Sequence, residues 1–185
     1  MRTKNLALVA IAAITALVAA CSSGPTKTSG TETWTGKQVL TKAQLSQQNF
    51  QPTYPLSFTG PVHATANFTP PGGNADKVQV TFHTTAGNLV ANADLPGNSN
   101  QNAPPTSFSA KTCVATFDQN GTYVVVGSKS TGSFKNATGH GKIRDAFTVT
   151  LPKTASGACN ESNSAQPVAG YTTLVVSGPM TVTSG

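Results

Sequence analysis

The sequence predicts an all-β domain, an antiparallel barrel or sandwich, preceded by a signal peptide and a flexible tether. Three observations carry this. Apolar and polar residues alternate with period two through much of the chain from Leu56 onward, as half-buried strands require. Thr, Ser, Asn, Gly and Val are plentiful while only 10% of residues are charged, a balance that suits strands and turns better than helices. The apolar runs are short and separated by Gly-, Pro- and Asn-rich stretches, with no helical periodicity long enough to compete.

The first twenty residues come before any of this. Arg2 and Lys4 open the chain, and Leu6 to Ala20 is apolar except for Thr15. The run is shorter than the roughly 20 apolar residues of a bilayer-spanning helix and has the build of a secretory signal peptide. It closes on Val18-Ala19-Ala20-Cys21, which resembles the lipobox of bacterial lipoproteins. That resemblance implies cleavage before Cys21, a diacylglycerol on the Cys21 thiol and residence on the outer face of the cytoplasmic membrane. It also implies that the lipid is the link to the membrane.

The expected organisation is therefore a signal peptide at 1–20, a lipidated N-terminus and tether at 21–55, and the β-domain at 56–185. Ser22 to Pro55 holds few large apolar residues, so its first part is expected to stay flexible. Such a tether would hold the domain roughly 20–30 Å from the membrane. Within it, Thr41 is placed to cap one or two helical turns, and Trp34 is expected to dock on the domain. The Thr- and Ser-rich tether offers sites for O-glycosylation.

The first expected strand places Val62, Ala64, Ala66 and Phe68 on one face and His63, Thr65, Asn67 and Thr69 on the other. Pro70 to Asp76 reads as a turn, and Val78, Val80 and Phe82 then alternate with Gln79, Thr81 and His83. Gly87 to Asp94 is a third, short strand, followed by a loop from Leu95 to Pro105. Asn120-Gly121 is expected to form a type I′ hairpin turn. That register sets Cys113, Ala115, Phe117, Val124 and Val126 on the core face.

Ile143, Phe147, Val149 and Leu151 alternate with Arg144, Ala146, Thr148 and Thr150, leaving Asp145 as the one polar residue on the apolar side. Pro152 to Val168 is a polar loop carrying Cys159. The last strand, Tyr171 to Thr183, sets Leu174, Val176, Met180 and Val182 on one face. Gly178-Pro179 implies a bend or bulge on an edge strand, since proline donates nothing to a ladder. The segment Gly121 to Gly127, running into Gly132-Ser133-Phe134-Lys135-Asn136-Ala137-Thr138-Gly139, resembles part of the small secreted barrels of dirigent proteins and allene oxide cyclases. The resemblance covers about thirty residues and implies a barrel. No functional residue of either family has a counterpart here.

Of three cysteines, Cys21 is assigned to lipid, which leaves Cys113 and Cys159 as one disulfide in an oxidising compartment. His63 and His83 lie on neighbouring strands, and pairing Thr69 with Lys77 sets them opposite each other. With His140 they are the only candidates for a metal site; chance pairing of exposed histidines is the competing reading. Removing Arg2 and Lys4 leaves ten basic against six acidic residues. The positives are dispersed and without interleaved aromatics, which argues against nucleic-acid binding. No nucleophile elbow, phosphate loop or paired carboxylates are found, and no cofactor is implied. The expected function is a non-enzymatic, membrane-anchored β-domain that binds an envelope component. The alternative is a carrier holding a lipid or small hydrophobic ligand in a barrel cavity; an enzyme is the third reading.

Overall fold

The computed structural model describes residues 25–47, 51–70, 75–97, 104–162 and 164–184. Nine strands run in chain order: β1 (Thr26–Leu40), β2 (Tyr54–Thr59), β3 (Ala64–Phe68), β4 (Lys77–Thr84), β5 (Gly87–Asp94), β6 (Ser107–Ser109), β7 (Val114–Val125), β8 (Thr138–Thr150) and β9 (Ala169–Ser184). Each pairs antiparallel with the next, except that β5 passes over β6 to pair with β7, and β9 returns to pair with β1. The result is a closed, eight-stranded up-and-down barrel, and β6 lies outside it on the lower half of β7. Closure leaves the barrel strands without a free edge. The thinnest seam is β3–β4, where the ladder reduces to Ala66 opposite Thr84, supported by the Thr85 N–H donating to Thr65 O at 3.0 Å.

The expected strands at 78–82, 87–94, 143–150 and 171–183 are all present. Thr41 caps the helical turn α1 (Lys42–Leu45), its hydroxyl accepting from the Gln44 N–H while Gln44 Oε1 accepts from the Thr41 N–H. This reciprocal arrangement is a capping box.

Other expectations are corrected. The domain does not begin at 56: residues 26–40, assigned to the tether, form a fifteen-residue strand paired along its whole length with β9. The period-two signal fails there because the inward positions include Gly30, Glu32, Gly36 and Gln38 beside Trp34 and Leu40. Space is tight at Gly36, where a Cβ would meet Leu56 Cδ2 at 2.6 Å and the Pro55 carbonyl oxygen at 3.1 Å. Trp34 does not dock on the domain from outside. It is 1% exposed at the centre of the core, with ring centroids 5.2 Å from Phe58, 5.0 Å from Phe82 and 4.9 Å from Tyr123. Residues 1–24, including the expected signal peptide and Cys21, lie outside the described residues.

Asn120-Gly121 is not a turn. β7 runs straight through it, with Asn120 opposite Arg144 and Gly121 opposite Ile143. In an uninterrupted strand residues 117 and 124 have opposite parity and face opposite ways. Tyr123 and Val125 are therefore buried while Val124 is 56% exposed. Gly121 serves a different need: a Cβ there would run into the Asp94 carbonyl, where β7 crosses the end of β5. Cys113 is not a strand residue either. It ends the β6–β7 turn at φ 56°.

Nor is β9 an edge strand, since β1 and β8 flank it. The β8–β9 ladder instead skips His140–Gly141 against Gly178–Pro179. There the proline donor is missing, and a Cβ on Gly141 or Gly178 would strike the facing backbone.

Two ends of the barrel follow from this topology. The upper end carries the start of β1, the end of β9, the β2–β3 bend (Gly60–His63), the β4–β5 turn (Thr85–Ala86) and two 3-10 turns, Gly127–Lys129 and Gly132–Phe134. The lower end carries α1, β6 and the long β8–β9 loop.

Candidate functional site

The polar residue that breaks the apolar alternation of β8 is the centre of the lower site. Asp145 points into the barrel, where the Tyr54 hydroxyl donates to its Oδ1 at 2.8 Å. The same phenol oxygen lies 2.6 Å from Thr172 Oγ1, which lies 3.4 Å from Asp145 Oδ1. Tyr54 starts β2 and Thr172 sits near the start of β9, so three separate strands build the cluster. Tyr54 and Thr172 are buried, whereas Asp145 keeps partial access to solvent.

Burial raises the Asp145 carboxyl above its ordinary value, and hydrogen bonds from Tyr54, Thr172 and the Ala146 N–H pull the other way. Burial, and then the Asp145 charge, pushes the Tyr54 phenol up as well. A phenol held neutral beside a carboxyl that retains its proton more readily makes a partly buried hydrogen-bonding cluster. Gln119 stands opposite Asp145 in the β7–β8 ladder. Below it Phe117 and Phe147 face each other with centroids 6.1 Å apart, and Phe147 and Phe108 of β6 are each more than a third exposed. The site is a polar floor inside an aromatic rim.

A second polar group lies deeper, toward the upper end. Glu32 is fully buried, and its Oε2 accepts from the Val62 N–H at 3.0 Å. Burial raises its carboxyl; the Val62 hydrogen bond and nearby His63 oppose the shift. Tyr123 is pushed up to about 12 by burial and by Glu32. Glu32 Oε1, Trp34 Nε1 and Tyr123 Oη make no hydrogen bond to any described residue. Three such atoms on adjoining inward positions are unusual, since buried polar groups are nearly always paired.

The histidines do not converge. The Ala66–Thr84 register differs from the one that pairs Thr69 with Lys77, so His63 does not face His83. His63 lies in the upper bend, and His83 Nδ1 is 3.0 Å from Asn88 Oδ1 on the outer wall. His140 is opposite Val124 in the β7–β8 ladder. Among the described residues no three His, Cys, Asp or Glu side chains are grouped to hold a metal ion. His83 does line a groove of about 420 Å³ over the β3–β4 seam, with Pro55, Ser57, Thr65, Asn67 and Thr85.

Cys113 and Cys159 are joined, with Cα atoms 5.3 Å apart. Cys159 pairs with Lys153 across a small hairpin in the β8–β9 loop, and the bond ties that loop to the β6–β7 turn at the lower rim. Sequence reasoning singled out Asp145 but missed its partner Tyr54, and it missed Glu32 and Tyr123 altogether. The one available signal was that Glu32 falls two residues before Trp34, on the same face of an extended run. No protein-family model, curated protein or solved structure matches the chain.

Proposed function

We propose that this chain is a lipid-anchored envelope protein whose barrel is a non-enzymatic binding module. Its anchor is Cys21, and its binding face is the lower mouth. The observation that carries the reading is the polarity of the barrel. The described chain enters β1 at the upper end, a few residues after Cys21, while the partly accessible Asp145, backed by the buried Tyr54 and Thr172, lies toward the lower end near exposed aromatic rings. A module tethered at one end and presenting a polar floor with an aromatic rim at the other suits capture of a ligand with an apolar body and a hydrogen-bonding head.

The carrier reading draws on a different observation. Glu32 Oε1, Trp34 Nε1 and Tyr123 Oη are unpaired inside the barrel, as they would be if a small molecule completed them. Against it, the rings of Trp34, Phe58, Phe82 and Tyr123 occupy the middle of the barrel at contact distance.

Native mass spectrometry of the protein isolated from its own envelope tests both. A retained ligand lost on Asp145→Asn supports the mouth, and one lost on Tyr123→Phe but kept on Asp145→Asn supports the interior. Cys21→Ser should abolish acylation; an acyl mass shift surviving that change would sink the anchor.

A further inference from the structure

We infer that the upper rim of the barrel is a second, ionic contact with the membrane. It rests on anionic lipid headgroups and holds the barrel upright, with the Asp145 mouth facing away. This deepens the lipoprotein reading and rests on it. Three observations on the molecule point there.

The first is reach. β1 starts at Thr26, five positions after Cys21, and five residues span at most about 18 Å when fully extended. A fifteen-residue strand is roughly 50 Å long. The lipid would therefore hold the upper end close to the bilayer and leave the lower end unable to take its place.

The second is charge. Lys27 on β1 and Lys135 after the second 3-10 turn are both exposed at this end. Six acidic residues are present in the chain. Glu32 is fully buried and turned to the Val62 N–H. The other five stand away from the upper turns: Asp76 and Asp94 are at the start of β4 and the end of β5, Asp118 and Asp145 lie within β7 and β8, and Glu161 is in the β8–β9 loop. Among the described residues no exposed carboxylate side chain therefore opposes an anionic surface at the upper rim. The lower rim is mixed, with Lys42, Lys77, Lys111 and Lys153 among its acids and Lys77 paired to Asp94 at 3.6 Å. A lower rim turned to the membrane would bring carboxylates against headgroup phosphates.

The third is rigidity. Lys27 is not on a loose arm, because β1 is paired with β9 from Thr26 onward. Its ammonium is carried on the barrel itself, so an ionic contact there sets the orientation of the whole domain. Two lysines would bind a surface weakly alone, but with the lipid supplying affinity they need only choose the tilt.

The test reconstitutes the full-length, envelope-processed protein into vesicles of phosphatidylglycerol or of phosphatidylcholine. Lysines are labelled with a water-soluble amine reagent, and peptide masses report both acylation of Cys21 and labelling at each lysine. On phosphatidylglycerol, Lys27 and Lys135 should label at least about fivefold more slowly than Lys111 and Lys153. The difference should fade as salt shortens the screening length from about 10 Å at 0.1 M to about 3 Å at 1 M. On phosphatidylcholine it should be small at every salt concentration. Equal labelling of both rims on an acylated protein overturns the orientation alone. Equal protection on both lipids overturns the headgroup contact. An unacylated Cys21 overturns the anchor, and the orientation with it.

Discussion

Asp145 and Tyr54 are 91 positions apart in sequence and meet at 2.8 Å inside the lower mouth, with Thr172 touching both. The bond joins β8 to β2 across the barrel interior rather than along any ladder, since these strands are not neighbours. It holds the one inward carboxyl of β8 in place, and that carboxyl stays only partly buried.

Removing the donor should loosen that arrangement in a measurable way. Tyr54→Phe leaves a partly buried carboxyl short of a hydrogen bond, and stability should fall by about 1–3 kcal/mol in urea titrations. The lost bond favours the ionised form, so the Asp145 carboxyl should titrate still higher by NMR. An unchanged Asp145 titration in the variant would mean that the bond is not formed in solution.

Glu32 makes the protein sensitive to pH in a defined direction. Burial raises its folded carboxyl above the ordinary 4.5. Between the unfolded and folded values the folded state holds a proton that the unfolded chain has released. This contribution is therefore fully present below the unfolded value and is lost as pH rises through the folded one. Glu32→Gln keeps an acceptor for Val62 and removes the titration. The difference in melting temperature, wild type minus variant, should fall as pH rises from 4 to 8; a flat or rising difference would contradict the assignment.

The continuous β7 separates two neighbouring positions. Asn120 is exposed and lies in a strand, so Asn120→Ala should stay within about 0.5 kcal/mol of wild type. Gly121→Ala would push a methyl group into the Asp94 carbonyl and against Leu95, costing about 1–3 kcal/mol. Were this pair a hairpin turn, both changes would be felt. Comparable losses at the two positions would therefore argue against the ladder as described.

The disulfide closes a loop of 46 positions, worth up to about 4 kcal/mol by the chain-entropy estimate. Replacing Cys113 and Cys159 with Ser should lower the melting temperature and, on the proposed Cys21 anchor, leave detergent partitioning unchanged. Free-thiol labelling of the native, unreduced protein should find neither cysteine reactive.

Much of the wall was legible along the chain. β4, β5, β8 and β9 announce themselves because their inward positions are consistently apolar, and Val80, Phe82, Leu89, Val149, Leu174, Val176, Met180 and Val182 are all buried as their spacing requires. Asp145 was visible for the same reason, as the exception on a regular face. The Cys113–Cys159 pairing followed from counting, once Cys21 was assigned elsewhere.

Long-range packing decided the rest. Period-two reading needs apolar residues at every second position, and β1 fills several of those positions with Gly, Glu and Gln. It is a strand because β9 and β2 pair with it and because Trp34 finds aromatic partners in Phe58 of neighbouring β2 and in Phe82 and Tyr123 of strands farther round the barrel. At Asn120-Gly121 local turn propensity lost to ladder pairing with β8 on one side and the close crossing of β5 on the other. The register that parts His63 from His83, and the contacts that join Asp145 to Tyr54 and set Glu32 near Tyr123, depend on how the sheet closes on itself. Alternation along a strand says which residues face inward; only closure says which inward residues meet.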